Sequence, residues 1–363
     1  MKIGTSLPLT GALQSFGTTL AMGYELAVRE VNEAGGIALG GGRQRVELLV
    51  RDNRSEGDVA AQQARALVLD EGAVALLGPA TPQLSIPVSM IADQLEVPTV
   101  LTITPLQAWQ GGNPEGWRFA WNAFFDEQQM TRTQFEAAEL VPTNKKVALF
   151  TDTEEDGVVM GRLWEETAPE FGYEIAYRAQ FSVGAASFSS QVAEARAAGA
   201  EIVVSQVTPP DGVELLREMR AQGFSPSLLF LEKAGNTGRL PELSDGLSDG
   251  SLAASWFAPG MGFEREQWFI DAFAERLGGV NSDLGNVVFG YSIARVLLEA
   301  AERACSLDAE AINAEIAKTD GAFPAGRIRF GDGHAAVMPA VQTRWVGRDQ
   351  VLVRDAGAAA EGR

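Results

Sequence analysis

Short apolar runs alternate with helical patterns along the first third of the chain. The apolar runs have the length and composition of buried strands, and they lie at 3–7, 46–50, 73–78 and 97–101. Between them, apolar residues recur at helical spacing over 17–34, 58–71 and 84–95. Regular alternation of strands and helices is typical of a parallel sheet covered by helices. The pattern therefore predicts an α/β fold for this part of the chain.

The same alternation starts again further along the chain. Predicted strands lie at 146–152, 173–180, 202–207 and 228–232, with predicted helices at 157–171, 187–198 and 211–222. A chain of 363 residues also exceeds the size of one ordinary core. We therefore predict two similar Rossmann-like lobes, each with a parallel sheet flanked by helices.

The last third of the chain is mostly helical. Helical patterns cover 264–278, 286–304 and 308–318, and short strands follow near 327–330 and 341–353. This section is too small to form a third lobe, so we expect it to complete the other two. That arrangement requires several crossings of the chain between the lobes. The final residues, 356–363, have the composition of a flexible tail.

An aromatic stretch rich in glycine and proline, residues 105–127, separates the two series. We interpret it as a crossover between the lobes. Its rings have two open interpretations. They either pack as a hinge, or some of them line a cleft and stack on a ligand, with Trp121 and Phe124 as the candidates.

Charge and composition exclude several classes of partner. The net charge is −19, which repels phosphate backbones and anionic lipid, so we expect no nucleic acid partner. The apolar fraction of 46% suits a globular protein. No run of about 18 apolar residues is present, so we expect no insertion into a membrane.

The catalytic inventory is small. His334 is the only histidine, which we expect in an exposed turn, and Cys305 is the only cysteine, which we expect to be a buried free thiol. No nucleophile elbow, phosphate loop or dinucleotide fingerprint occurs. We therefore predict a protein that is not an enzyme, with no catalytic residue, no metal and no cofactor. The acidic residues of 152–156 follow a predicted strand, and they are either a solvated loop or a site for a hard cation.

Several segments together resemble one family. They are IGTSLPLTGALQSFG, GYELAVREVNEAGGI, VELLVRDNRSE, EGAVALLGPAT, LEVPTV, KKVALFTDTEEDG, ASFSSQVAEARAAGAEIVVSQ and LLREMRAQGF. In this order they resemble the type I periplasmic solute-binding proteins of ABC importers, of the branched-chain amino acid (Leu/Ile/Val) type. The resemblance covers nearly the whole chain.

The resemblance implies two α/β lobes joined by a three-crossing hinge that closes over a small ligand. We assign 1–122 plus 254–328 to the first lobe and 123–253 plus 329–355 to the second. The resemblance also implies a monomer that is exported to the periplasm or the extracellular face and that delivers its ligand to the membrane subunits of an ABC permease. Residue 3 already belongs to a strand, so we expect that the export signal is absent from this sequence.

The ligand contacts that the resemblance implies in the first lobe fall at Phe16, Thr81, Gln83, Thr102 and Thr104. The family places a serine for the ligand carboxylate within GPATPQLS, and that position is Pro82 here. Proline has neither a hydroxyl nor a backbone N–H. The carboxylate contact of an amino acid is therefore lost or moved.

In the second lobe the resemblance implies contacts at Asp156, Thr208, Glu232 and Lys233. Asp156 stands where the family frequently has tyrosine, and Glu232 matches the acidic residue that meets a ligand ammonium. Lys233 is a candidate partner for a ligand carboxylate. These departures favour a small solute other than a standard amino acid.

We predict an extracytoplasmic receptor that captures a small organic solute, either an amino acid or a related small carboxylate or aromatic compound. Two alternatives stay open. One is a ligand-sensing module of a receptor or a cytoplasmic regulator, since this fold serves both. The other is a hydrolase that uses paired carboxylates.

Overall fold

The computed structural model describes residues 1–353, which form two compact units. Unit 1 consists of Met1–Phe125, Phe263–Glu266 and Gly285–Pro339. Unit 2 consists of Asp126–Gly262, Gln267–Leu284 and the described residues from Ala340 onward. The chain thus changes unit once after Phe125, three times within 262–285 and once after Pro339.

Unit 1 is built on a six-stranded sheet. Its strands are β1 (Lys2–Leu7), β4 (Glu47–Asp52), β5 (Ala75–Leu77), β6 (Thr99–Leu101), β7 (Ala120–Phe125) and β15 (Ala335–Met338). They lie in the order β15-β7-β6-β5-β1-β4, and every pair is parallel. Two hairpins accompany the sheet: β2 (Ile37–Leu39) with β3 (Gly42–Gln44), and β13 (Asp320–Phe323) with β14 (Gly326–Arg329).

The helices of unit 1 are α1 (Gln14–Glu33), α2 (Gly57–Leu69), α3 (Pro82–Leu95), α4 (Leu106–Gly111), most of α11 (Ser282–Ala304), and α12 (Ala309–Ala317). Several begin at residues suited to a helix N-terminus. The side chain of Asp308 accepts a hydrogen bond from the backbone of Ala311 at α12, and Pro82 is the first residue of α3, where a missing N–H costs nothing.

Unit 2 is built on a seven-stranded sheet. Its strands are β8 (Lys146–Asp152), β9 (Glu174–Phe181), β10 (Ile202–Val207), β11 (Leu228–Lys233), β12 (Leu252–Ser255), β16 (Val341–Val346) and β17 (Asp349–Leu352). The order is β17-β16-β12-β11-β10-β8-β9. Neighbouring strands are parallel from β12 to β9, whereas β16 runs antiparallel to both β12 and β17. Its helices are α5 (Glu127–Ala138), α6 (Glu155–Thr167), α7 (Ser189–Ala197), α8 (Pro209–Ala221), α9 (Leu240–Leu243) and almost all of α10 (Glu266–Leu277).

The α/β class and the parallel sheets flanked by helices are confirmed, with two antiparallel strands added at one edge of the unit 2 sheet, and the predicted strand at 146–152 coincides with β8. The compact units differ from the predicted lobes, however. The stretch 329–339 belongs to unit 1, because β15 pairs with β7 and thereby gives partners to its backbone groups. Residues 254–262 and 267–284, predicted in the first lobe, belong to unit 2. The aromatic stretch 105–127 is not only a crossover, since it contains α4 and β7.

Two expectations about single residues need correction. His334 is half-buried rather than in an exposed turn, because its ring stacks on Trp121 with centroids 3.6 Å apart. Cys305 is exposed rather than buried, since it lies just beyond the end of the buried helix α11. The tail assigned to 356–363 lies outside the described residues.

Within residues 1–353, one helix is long and apolar enough to cross a membrane, namely α11 with a mean hydropathy of 1.2. The most apolar stretch of this helix is 89% buried inside the protein. A buried apolar helix is what a globular core requires, so these properties are weak evidence for a membrane span. Apolar side chains of α11, such as Val287, Phe289 and Leu297, belong to the core of unit 1.

Candidate functional site

The carboxyl ends of β8, β10 and β11 carry charged and amide side chains that the fold buries together. β8 ends at Asp152, β10 at Val207 and β11 at Lys233. The three strands are neighbours in the sheet of unit 2, in the order β11-β10-β8. Parallel strands bring their carboxyl ends to one edge, and this edge is where α/β proteins bind ligands. We call the group of Asp152, Asp156, Gln206 and Lys233 the acidic cluster.

Lys233 lies between two carboxylates of the acidic cluster. Its Nζ is 3.3 Å from Oδ1 of Asp156 and 3.6 Å from Oδ2 of Asp152, and all three side chains are at most 3% exposed. Burial disfavours the charged lysine, but Asp156 and Asp152 together outweigh it and hold the pKa of Lys233 above its usual value. Lys233 is therefore a cation throughout the physiological range.

Gln206 connects β10 to the acidic cluster. Its Nε2 donates a 2.8 Å hydrogen bond to Oδ2 of Asp156. A carboxylate only accepts, so this contact fixes which end of the amide faces Asp156. The other end, Oε1 of Gln206, is buried and makes no hydrogen bond within the described part of the chain, and the same holds for Oδ2 of Asp152. Two buried acceptors of the cluster are thus without a hydrogen-bond donor.

The two carboxylates share a single lysine, and this affects how readily they ionise. Burial raises the pKa of Asp152 to about 7, the charge of Lys233 opposes this rise and the carboxylate of Asp156 adds to it. Glu154, at the N-cap of α6, also has a raised pKa, mainly because it is partly buried. One cation does not fully compensate the negative charge at this edge.

Gly157 makes room for the carboxylate of Asp152. A Cβ at position 157 would lie 2.3 Å from Oδ1 of Asp152 and 2.4 Å from its carbonyl oxygen. Cβ atoms in proteins essentially never make non-bonded contacts this short. The glycine in the first turn of α6 therefore allows the helix to begin directly against the end of β8.

The backbone of Lys233 is strained. Its φ is 63° and its ψ is −57°, a combination near that of the rare γ-turn. The N–H of Lys233 donates to Oδ1 of Asn236 at 3.0 Å, and Asn236 donates to the carbonyl of Ala254. Backbone strain in a non-glycine residue costs about 1–3 kcal/mol and persists where the surroundings impose it, often at ligand sites.

Glu232, predicted to meet a ligand ammonium, is engaged by its own unit. Both of its carboxylate oxygens accept from the backbone N–H of Ala254, at 3.0 and 3.1 Å, and Oε1 also accepts from Gln134 at 2.6 Å. Trp164 donates to the other end of Gln134. Burial raises the pKa of Glu232 to about 7, against these hydrogen bonds, which favour the ionised form. The structure therefore does not bring Glu232 into the acidic cluster with its neighbour Lys233.

Thr208 lies just after β10, at the N-cap position of α8, where its side chain makes no capping hydrogen bond to the helix backbone. Its hydroxyl donates a 2.8 Å hydrogen bond to Oδ2 of Asp211, which also accepts from the backbone of Gly184. This threonine is buried, and its hydroxyl proton is already used. Its role as a ligand contact stays a prediction.

In unit 1, polar residues gather after β5 and β6. Thr81 and Ile103 both have positive φ, and the N–H of Thr81 donates to the carbonyl of Ile103. The hydroxyl of Thr104 lies 2.7 Å from that of Ser85, and the hydroxyl of Thr102 donates to the carbonyl of Ala123. The structure thus brings Thr81, Thr102 and Thr104 together at one edge, and their role as ligand contacts stays a prediction.

Asn122 joins this edge and was missed by sequence reasoning. Its Nδ2 donates to the carbonyl of Thr104 at 2.8 Å, while its Oδ1 is buried without a partner in the described residues. The same is true of Thr81 Oγ1 and of Oε1 of Gln83, which is the second residue of α3. The sequence indicated the neighbouring rings Trp121 and Phe124 instead, because an isolated asparagine within a strand gives no periodic signal.

The three aromatic candidates of unit 1 lie in different surroundings. Phe16 is in the first turn of α1 and Phe124 near the end of β7, and both are nearly fully buried. Trp121, near the start of β7, lies in a separate groove of about 440 Å³, where it donates to Asn313 and stacks on His334. The structure therefore does not bring Trp121 together with Thr81, Thr102 and Thr104.

Two compact α/β units whose polar side chains gather at the carboxyl ends of parallel strands define a small-molecule binding protein of the α/β class. The sequence profile described as periplasmic binding protein matches residues 1–350. The chain belongs to this family and has the type I periplasmic binding protein fold.

Relatives and solved structures agree with this membership. The chain is similar to Leu/Ile/Val-binding protein homolog 7 of Brucella suis, with 24% identity over 355 residues that cover 92% of this chain and 84% of that protein. A leucine-binding protein, LivK, of Thermotoga maritima has a TM-score of 0.85 and 25% identity over 98% of both chains. The branched-chain amino acid binding protein LivJ of Streptococcus pneumoniae, solved with isoleucine, has a TM-score of 0.82 and 21% identity over 97% of this chain and 99% of that one.

Proposed function

We propose that the protein is the solute-binding component of an ABC importer, which captures a small organic solute outside the cytoplasm and presents it to a membrane permease. The observation that carries this proposal is the acidic cluster. It combines a strained backbone at Lys233 with two buried acceptors that receive no hydrogen bond within residues 1–353, at the edge of the sheet where α/β proteins bind ligands, in a chain from a solute-binding family. Names of similar proteins, which refer to leucine, isoleucine and valine, support the same class of function.

A thermal-shift screen tests the proposal. Binding to the folded state alone raises the melting temperature, because it adds about RT ln(1 + [L]/Kd) to the free energy of unfolding. The screen should contain amino acids, small carboxylates, aromatic acids, amines and amides. We expect at least one class to raise the melting temperature, with saturable binding in calorimetry and no chemical change of the solute. Turnover of the bound solute would contradict the proposal and favour the hydrolase alternative.

Localisation, partner and mechanism of capture are parts of the same proposal. Secretion of the full-length gene product, followed in cell fractions, tests export and separates an importer subunit from a cytoplasmic regulator. Sedimentation tests the predicted monomer. Small-angle scattering tests capture by hinge closure, since a closing protein becomes more compact when its solute saturates it. Identical scattering profiles with and without a saturating solute would contradict closure.

A further inference from the structure

The buried acceptors of the acidic cluster indicate the kind of group that would complete it. Oδ2 of Asp152 and Oε1 of Gln206 are both acceptors, and neither receives a hydrogen bond within the described residues. The orientation of Gln206 is fixed, because its Nε2 must donate to the carboxylate of Asp156. A buried acceptor that receives no hydrogen bond destabilises the folded protein. A solute that donates hydrogen bonds removes this cost, whereas a solute that only accepts does not.

The charges of the cluster point in the same direction. Among the described residues, Lys233 is the cation that pairs with the carboxylates of Asp152 and Asp156, and it is shared between them at 3.6 and 3.3 Å. Glu154 adds a further negative charge that acts on both Asp152 and Lys233. The edge therefore has an excess of negative charge in a buried setting, where charge imbalance is costly. A cationic group on the solute would restore the balance, and an anionic group would increase it.

We propose that the solute is an organic amine without a carboxylate, and that its ammonium or guanidinium group binds at the acidic cluster through Asp152, Asp156 and Gln206. This inference rests on the proposed solute-binding function and names its substrate class. It also transfers the role of binding a cation from Glu232, whose oxygens are engaged by Ala254 and Gln134, to the two aspartates. Charge-assisted hydrogen bonds to a desolvated carboxylate are the strong ones, so the aspartates would dominate affinity.

Matched probes test the inference by calorimetry on the full chain. One set keeps an aromatic ring and changes only the charged group: benzylamine, benzamide and benzoate. The other keeps a branched aliphatic skeleton: 3-methylbutylamine, leucine and 4-methylpentanoate. We expect the amine in each set to bind at least about tenfold more tightly than the carboxylate of the same skeleton. Tighter binding of benzoate, 4-methylpentanoate or leucine would overturn the amine assignment and leave the proposed solute-binding function intact.

Two further outcomes also decide the inference. Tighter binding of benzamide than of benzylamine would show a neutral donor, and would overturn the cationic assignment. Binding of none of these probes, while another class of solute binds in the thermal-shift screen, would overturn the inference and support the broader function. Failure of every solute in both experiments would overturn both proposals.

Charge-neutralising variants locate the binding group. We expect Asp156→Asn and Asp152→Asn each to weaken binding of the tighter amine probe at least about tenfold, while the fold is retained by circular dichroism. The matched control is Glu155→Gln, which removes the same charge from an exposed side chain beside Asp156 on α6. If one aspartate variant does not fold, the amine affinity of the other variant still tests the assignment. Unchanged amine affinity in a folded aspartate variant, or equal weakening by Glu155→Gln, would overturn the assignment.

Discussion

The backbone N–H of Thr81 donates a 2.8 Å hydrogen bond to the carbonyl oxygen of Ile103, and both residues have positive φ, 67° and 52°. Both are β-branched, a side-chain type that rarely adopts this conformation. They lie after β5 and β6, the neighbouring strands whose carboxyl ends carry the polar residues of unit 1. The hydrogen bond therefore joins two strained turns at the edge where we expect ligand contacts.

Relief of this strain should be measurable at Thr81. The hydroxyl of Thr81 makes no hydrogen bond within the described residues, so its removal costs little. Glycine tolerates the native backbone angles and alanine does not. We expect Thr81→Gly to be more stable than Thr81→Ala by about 1 kcal/mol, after the greater flexibility of unfolded glycine is subtracted. Urea unfolding of the two variants gives the comparison. Equal stability would show that the turn is not strained at this residue.

Gly157 should not tolerate a side chain. We expect Gly157→Ala to destabilise the protein by about 1–3 kcal/mol, because its Cβ would overlap the carboxylate and carbonyl of Asp152. The matched control is Gly161→Ala, four residues further along α6, where the nearest atom, Cγ2 of Thr151, lies at 3.3 Å. This contact is tight but far longer than the 2.3 Å overlap at position 157, and the higher helix propensity of alanine opposes its cost, so we expect the control to change stability by less than about 1 kcal/mol. Thermal melts of both variants test the pair. A Gly157→Ala variant as stable as the control would contradict the close packing.

The buried carboxyl of Glu232 should make stability depend on pH in the sense opposite to a surface acid. Its pKa is raised from 4.5 to about 7 by burial, so the folded state binds this proton more readily than the unfolded state. Its contribution to stability is greatest below about pH 4.5 and is lost as the pH rises through about 7. Glu232→Gln does not titrate. We expect its stability relative to the parent to improve by on the order of 2–3 kcal/mol between pH 5 and pH 8.

Urea unfolding of both proteins across this pH range checks the prediction. Asp152 titrates in both proteins, so its contribution cancels in the difference. Glutamine keeps an oxygen that accepts from Ala254 and Gln134, so the pair differs mainly in ionisation. A constant stability difference from pH 5 to pH 8 would contradict a raised pKa for Glu232.

Binding of benzylamine should strengthen as the pH rises. Burial raises the pKa of Asp152 to about 7, and a bound cation would lower it again, so binding below this pH expels a proton. The charged groups that act on Asp152 are Lys233, which stays protonated, and the carboxylates of Asp156 and Glu154. We expect the affinity to rise by up to about tenfold per pH unit from pH 5.5 towards 7, and to level off near pH 8.

Calorimetry in buffers of different ionisation enthalpy measures this proton release directly. Benzylamine itself stays protonated over the whole range, since alkyl amines resemble the lysine side chain. Benzamide serves as the neutral control, for which we expect an almost constant affinity. An affinity for benzylamine that is independent of pH would show that Asp152 does not exchange its proton for the cation.

The sequence by itself determined the elements and the class of fold. Apolar runs and helical spacing gave the α/β alternation, and β8, β10 and β11 lie where they were predicted, within a residue at each end. These signals are local, because burial of a strand or one helix face imposes its own period on the sequence. The resemblance also indicated the region of Asp156 and Lys233 as ligand-binding, and this role stays a prediction.

Only the tertiary structure decided how these residues combine. It paired Lys233 with Asp156, 77 residues away in sequence, and joined Gln206 to the same carboxylate. It turned Glu232 towards Gln134 and Ala254, and it placed β15 in the sheet of unit 1. No local pattern encodes such choices, because adjacent residues of one strand face opposite sides of the sheet, and their partners come from segments that only folding brings near.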